Sequence, residues 1–293
     1  MKSIGVVTNR EKDQNLKYTK ILVESILEMG GNIKIVSDIA EELGINGGYA
    51  DETEALYASD IVVCLGGDGT FLKAARKIYD RNIPMLGINL GNLGFLTEVE
   101  KSEIRLAVEN IMQDKYEIEE RMMLEATISD GTKFIARDYA LNDVVIARGV
   151  LARILHLKTY VNNAFVDTFP GDGLIISSPT GSTAYSLAAG GPIVEPDVEM
   201  IIVNPICPHI LYTRSYVTTG SGVVKVVVNE DYCHEAAVTV DGQKGYEIRG
   251  SYVIEIKKAP YTIKLISVKS RNFFHVLRTK IFDRGESLRK DEV

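Results

Sequence analysis

The chain has 293 residues, 45% of them hydrophobic and 25% charged, with a formal net charge of -7 and a pI near 5.3. That length suits one large domain or two smaller ones, and the acidic balance argues against a general nucleic-acid binder, which would present a basic face. No stretch approaches the roughly 20 apolar residues that a bilayer span needs, and "MKSIGVVTNR" lacks the apolar core of a signal peptide. A soluble, cytoplasmic protein with no membrane partner is expected. Cys64, Cys207 and Cys233 are far apart and form no CxxC or Cys/His metal spacing. They suit a reducing compartment, and Cys64, inside an apolar strand, reads as a buried structural thiol.

The first 115 residues alternate strand and helix. "SIGVVTN" reads as a strand and "NLKYTKILVESILEMGG" as an amphipathic helix stopped by Gly30-Gly31. "NIKIVS" is a second strand and "DIVVCLGG" a third. "TFLKAARKIYDR" follows as a helix and "IPMLGINL" as a fourth strand. "SEIRLAVENIMQDK" is a further helix with Ser102 as its expected N-cap. This alternation points to a parallel sheet covered by helices.

From about residue 117 the pattern becomes short strands and turns. "YEIEERMMLEATIS" and "KFIARDYALNDVVIAR" flank an Asp130-Gly131 turn, and "ILHLKTYVNNAFVDTF" turns at Asn162-Asn163. "GVVKVVVN", "AAVTVDGQ", "YVIEIKKA" and "YTIKLISV" are further strands, giving an all-β, sandwich-like domain over 116–267. "NFFHVLRTKIFDR" reads as a C-terminal helix before a charged tail.

Three glycine-rich stretches stand out. "LGGDGTFLKAAR" joins a strand exit, a flexible loop and a helix start. Its amides can form an anion nest, and the helix N-terminus adds partial positive charge. Lys73, Arg76 and Lys77 are expected in the first turns. Asp68 is out of place in a pure anion nest, because a carboxylate repels phosphate. It implies a metal-bound phosphate or a hydroxyl whose proton must be removed; a capped structural turn is the alternative. "GINLGNLGFLTE" (87–98) reads either as tight backbone packing or as a second wall of the same cleft, at the carboxyl end of the next strand. "FPGDGLIISSPTGSTAYSLAAGGPIVEP" (169–196) starts a strand at Gly171-Asp172-Gly173. It then offers Ser182 and Thr183 as helix caps before a short helix rich in small residues. Asn142-Asp143, between two strand-like runs, reads either as a turn or as a donor and acceptor pair suited to ribose or adenine.

GGDGT, then an Asn-acid pair, then a GDG strand, then "SSPTGSTAYSLAAGGPI" resembles the NAD kinase family over nearly the whole chain. GGDGT alone is similar in diacylglycerol and sphingosine kinases; the "PTGSTAYSLAAGGP" block is specific. The resemblance implies a Rossmann-like α/β domain over 1–115, completed by 268–293, and a β-rich domain over 116–267, with a dinucleotide held in the cleft between them. It implies transfer of the γ-phosphoryl group of ATP to the 2′-hydroxyl of the adenosine ribose of NAD, giving NADP. Mg²⁺ would arrive with the ATP rather than in a protein cage, and the assembly would be a homodimer or homotetramer.

Matched by position, Asp68 falls on the general base, flanked by Gly66, Gly67, Gly69 and Thr70. Asn142 and Asp143 fall on the dinucleotide-binding pair, where many members carry Glu at the second position. Asp172 and the run Ser182, Thr183, Ala184, Tyr185, Ser186, Leu187 and Ala188 fall on the dinucleotide-binding strand–turn–helix. Gln243 in "VDGQKG", Lys73 and Arg153 complete the set. A lipid kinase sharing GGDGT and a non-catalytic dinucleotide sensor are the rival readings; the absence of a basic amphipathic anchor argues against the first and an intact Asp68 against the second.

Overall fold

The computed structural model describes residues 1–149, 153–232, 234–268 and 273–280. Two compact units result, Met1–Glu120 together with Ile263–Val293, and Arg121–Thr262.

The first unit is built on parallel strands β1 (Ser3–Thr8), β2 (Asn32–Lys34), β3 (Ile61–Gly66), β4 (Met85–Asn89) and the short β5 (Val99–Glu100). Helices α1 (Lys17–Glu28), α2 (Ser37–Glu42), α3 (Glu52–Tyr57), α4 (Asp68–Ile78) and α5 (Ile104–Met112) connect and cover them. The sheet order is β2-β1-β3-β4. The chain therefore leaves β1 toward one edge and β3 toward the other. This reversal is the switch point at which open α/β sheets leave a crevice beyond the strands' carboxyl ends.

Burial on both faces explains the unbroken apolar runs. Every residue of Ile61–Gly66 is buried. Val63 and Leu65 join one core with Leu22 and Ile26 of α1 and Ile104 and Val108 of α5. Val62 and Cys64 are as deeply buried, on the face that α4 packs against. Burial pushes the Cys64 thiol's pKa upward, which keeps it an inert apolar group.

The second unit carries β6 (Glu117–Ser129), β7 (Phe134–Ala140), β8 (Asp143–Arg148), β9 (Leu155–Val161), β10 (Ala164–Gly171), β11 (Gly173–Ser177), β12 (Met200–Ile206), β13 (Tyr216–Thr219), β14 (Val223–Val228), β15 (Ala236–Val240), β16 (Lys244–Ile248) and β17 (Val253–Ser267). β17 passes into the first unit at Ile263, where Leu265 pairs with Met85 of β4. One sheet runs β10-β9-β14-β17 and continues through β6 to β7; the other runs β13-β12-β11-β8-β15-β16. Side chains alternate between faces along a strand. Val144 and Ile146 of β8, Leu174 and Ile176 of β11, Val224 and Val226 of β14 and Ile254 and Ile256 of β17 thus share one core. Val145 and Ile175 point the other way and pack with Ile206 and Ala189. Asn162 and Asn163 both take positive φ, +50° and +66°, as a two-residue hairpin requires.

Several elements depart from expectation. β17 is one strand of 15 residues where two were expected. α2, α3, β12, β13 and β16 were not anticipated; all but the seven-residue β12 are short. Ser102 does not cap α5. It lies inside a 3-10 turn (Lys101–Glu103), where the Glu103 carboxylate accepts the Glu100 N–H at 3.2 Å. Ser182 and Thr183 do not cap a helix either. Both lie in a 3-10 turn (Thr180–Thr183) ahead of the four-residue α6 (Tyr185–Ala188). The C-terminal helix α7 is described for Phe273–Arg278. The charged tail and the end of the expected helix lie outside the described residues, as does Cys233.

Candidate active site

In the first unit β3 ends at Gly66 and α4 begins at Asp68, with Gly67 between them. The Asp68 side chain does not cap its own helix. It accepts the backbone N–H of Phe95 on Oδ2 (2.9 Å) and, on Oδ1, the N–H of Leu96 (3.1 Å) and the hydroxyl of Thr97 (3.0 Å). The first two glycine stretches therefore meet at this carboxylate. Gly94 is required by that meeting, since a Cβ there would drive into Asp68 Oδ1 and the Thr97 hydroxyl. Gly69 is different. A Cβ at Gly69 would meet no atom of the chain within 4 Å, so nothing in the fold itself excludes a side chain there.

A carboxylate offers about four lone-pair directions. Oδ1 receives two donors and Oδ2 one, which leaves Oδ2 with spare accepting capacity among the described residues. Among the described residues Lys280 pairs with it, its Nζ 3.6 Å from Oδ2.

Asn9, just beyond β1, completes the switch point. Its amide donates to the Thr70 hydroxyl (3.2 Å), and its Oδ1 accepts the N–H groups of Glu11 and Lys12. Lys12 Nζ comes so near Gly67 that a Cβ there would stand 3.0 Å from it. Neither residue was selected from the sequence; the signal available was the "TN" step at the end of β1, beside the glycine loop. Lys73 is exposed on α4. Arg76 and Lys77 lie in the last turn of α4 rather than the first, and Lys77 pairs with Glu52 at 2.7 Å.

In the second unit Leu141 and Asn142 form the turn from β7 into β8, and Asp143 begins β8. This turn is gripped from the β15–β16 hairpin: the Asp241 carboxylate accepts the N–H groups of Leu141 (2.9 Å), Asn142 (2.8 Å) and Asp143 (3.1 Å). Asp241 itself sits at φ +50°, followed by Gly242 at +63°. The side chain of Asp143 is buried, and its carboxyl is pushed up to about 7, first by burial and then by the Asp241 charge. Asp241 also escaped the sequence reading, which stopped at Gln243 two residues on. Gln243 is exposed, and its N–H closes the hairpin on Val240 O at 3.0 Å.

The "PTGSTAYS" segment packs on the same turn. Ser178 N–H donates to Asn142 O at 2.9 Å, and a Cβ at Gly181 would strike that carbonyl. Ser182 Oγ bridges to Val194, donating to its O (3.2 Å) and accepting from its N (3.1 Å). Ser186 is buried and its carbonyl accepts from Asn204 at 2.9 Å. Tyr185 is 48% exposed, and Ala188 is exposed with it. Asp172, between β10 and β11, accepts from Arg148 Nε at 2.7 Å. Arg153 is exposed. Among the described residues the buried hydroxyls of Thr180 and Thr213 have no hydrogen-bond partner, which is unusual in a folded protein. Thr213 lines a groove of about 540 Å³ with Gly190, Asn204 and Arg214, at the end of α6. That is a size suited to a small organic ligand.

The family models for the ATP-NAD kinase N-terminal and C-terminal domains match residues 4–116 and 141–268. NAD kinase of Acetivibrio thermocellus is 56% identical over 99% of this chain and 100% of its own length.

The chain belongs to the NAD kinase family.

NAD kinase of Ruminiclostridium cellulolyticum is 52% identical over 98% of this chain and all of its own. Among solved structures, yeast NADH kinase complexed with NADH shares the fold, with a TM-score of 0.85 at 23% identity over 97% of this chain and 88% of that one. An NAD kinase from Archaeoglobus fulgidus in complex with ATP aligns with a TM-score of 0.77 at 25% identity, over 94% of this chain and 99% of that one. The NAD kinase matches span both units.

Proposed function

We infer that this protein is an ATP-dependent NAD kinase, transferring the γ-phosphoryl group of ATP to the 2′-hydroxyl of the adenosine ribose of NAD to give NADP. The observation that carries the reading is Asp68: a carboxylate at a β-strand exit on a sheet switch point, with one oxygen saturated and the other able to take a proton. Phosphoryl transfer asks a protein mainly for alignment and charge neutralisation. Asp68 Oδ2 accepts the proton of the ribose hydroxyl. The freed oxygen forms the new P–O bond while the bond between the γ-phosphorus and the bridging oxygen breaks, and ADP leaves with that electron pair. The hydrogen bonds from Phe95, Leu96 and Thr97 fix the carboxylate so that no reorganisation is needed at that moment.

In the second unit, the Asn142–Asp143 pair, Asp172 and the Ser182–Ala188 run are the dinucleotide contacts. The unpartnered Thr180 hydroxyl and exposed Tyr185 support this. Lys73, Arg153 and Gln243 are exposed and free to meet a ligand. Among the described residues no group of three or more His, Cys, Asp or Glu could hold a metal ion. A divalent cation bound to the triphosphate would supply part of its charge neutralisation. No helix of the described chain is long and apolar enough to cross a membrane; cytoplasmic residence and a homo-oligomeric assembly complete the proposal.

The test is a donor and acceptor panel. Purified protein with Mg-ATP should convert NAD to NADP. Phosphorylation of diacylglycerol or sphingosine but not NAD would replace the reading with a lipid kinase; tight NAD binding without turnover would replace it with a sensor.

A further inference from the structure

Lys280 stands where the proposed reaction has a use for a cation, and neither its position in the sequence nor its surroundings had suggested one. Its Nζ lies 3.6 Å from Asp68 Oδ2 and 4.4 Å from the centroid of the Phe95 ring. Phe95 is the residue whose N–H donates to that same oxygen. The Lys280 side chain is 24% exposed, so most of it is shielded from water. Its place is fixed from two directions. Phe273 of α7 packs on the Phe95 ring with centroids 6.1 Å apart, and Lys280, seven residues on, reaches the same ring. The ring face attracts the cation, and the carboxylate attracts it from the other side.

The distance matters. At 3.6 Å the pair is an ion pair without a normal hydrogen bond, which needs about 2.7–3.2 Å. An ammonium has three N–H donors. Among the described residues Lys280 Nζ donates to no closer acceptor, so its donors remain for something that arrives.

We propose that Lys280 is a catalytic residue of the phosphoryl transfer, pairing with Asp68 in the resting protein and with the γ-phosphoryl oxygens in the transition state. This rests on the kinase reading above. Before transfer, the Lys280 charge is balanced by Asp68. As the ribose hydroxyl gives its proton to Oδ2, that carboxylate becomes neutral and Lys280 loses its partner. The phosphoryl group is crossing at that moment with its negative charge spread over its equatorial oxygens. The cation then binds the transition state more strongly than the ground state, which is the condition for raising the rate rather than only the affinity. After transfer the proton leaves Asp68 for solvent or the departing ADP, and the resting pair returns.

The experiment compares wild type, Lys280→Ala and Lys280→Arg in steady-state assays with Mg-ATP and NAD, with added methylammonium or ethylammonium as a second arm. Lys280→Ala should lower kcat by about 10²-fold, the scale of losing one donor to developing charge, with the KM for NAD changed less than about threefold. Lys280→Arg should recover most of the rate, and small alkylammonium ions should restore part of it in Lys280→Ala but not in wild type. A purely structural role would give no amine rescue, and that result, or unchanged kcat in Lys280→Ala, overturns the proposal. If wild type itself makes no NADP, the failure lies with the kinase reading instead.

Discussion

The Asp241 carboxylate accepts the backbone N–H of Asp143 at 3.1 Å, while its charge helps push the buried Asp143 carboxyl up to about 7. One acid anchors the other's main chain and opposes the other's ionisation.

The anchoring gives the first prediction. Asp241→Ala removes the acceptor of three backbone donors. Hydrogen bonds to a charged group are worth about 1.5–3 kcal/mol each, and their losses do not simply add. A drop of about 3 kcal/mol in unfolding free energy is expected by urea titration, with a raised KM for NAD because the Asn142 turn loosens. Unchanged stability would mean that the turn holds itself.

The opposition gives the second. The folded Asp143 binds its proton more tightly than the unfolded chain does, where an aspartate titrates near 3.8. Its contribution to stability is full below that value and is lost as pH rises through about 7. The whole loss is about 4 kcal/mol as an upper figure, at about 1.4 kcal/mol for each tenfold change in proton affinity. Asp143→Asn should flatten the stability profile between about pH 4 and pH 7 relative to wild type. Parallel profiles for the two proteins would show that Asp143 ionises freely.

Gly94 supplies a third. A methyl there collides with the Asp68 carboxylate, and relief requires the carboxylate or the 94–97 segment to move. Gly94→Ala should cut kcat by about 10-fold or more, since misplacing a catalytic group by about 1 Å is that costly, while the melting temperature falls by only a few degrees. Gly69→Ala is the control, because its Cβ would meet no atom of the chain within 4 Å. A Gly94→Ala protein with the kcat of wild type would show that Asp68 tolerates displacement.

Tyr185 supplies a fourth. Its ring is half exposed at the start of α6, so little of the fold depends on it. Tyr185→Ala should raise the KM for NAD several-fold with little change in melting temperature. An unaltered KM coupled to a lower melting temperature would assign the ring to packing.

Much of the fold was legible because its signals are local. β3 and α4 announce themselves by an apolar run and a helical stripe broken by glycines, and the Asn162-Asn163 hairpin by its turn chemistry. β17 was cut in two because Pro260 lies within it, and proline usually interrupts a strand. Asp68 stood out because a carboxylate among phosphate-loop glycines is anomalous. Asp241 and Lys280 did not, because each is an ordinary residue whose meaning comes from a partner far along the chain: Asp143 is 98 residues from Asp241, and Asp68 lies more than 200 from Lys280. Periodicity and spacing carry no information about such pairs. Ser102, Ser182 and Thr183 were good capping residues by type, but Glu103 takes the N–H ahead of α5, the Ser182 hydroxyl bonds the backbone of Val194, and the Thr183 hydroxyl donates to Thr180 O.

The most direct test of the account is Asp68→Asn, measured for NAD binding and for single-turnover phosphoryl transfer in the same preparation. Asparagine keeps one acceptor oxygen for Leu96 and Thr97 but cannot take a proton, and it sets an amide against the Phe95 N–H. The account predicts a rate lowered by about 10²–10⁴-fold, the range for loss of a general base, with NAD binding kept. Transfer at the wild-type rate in a variant that binds NAD normally would contradict it.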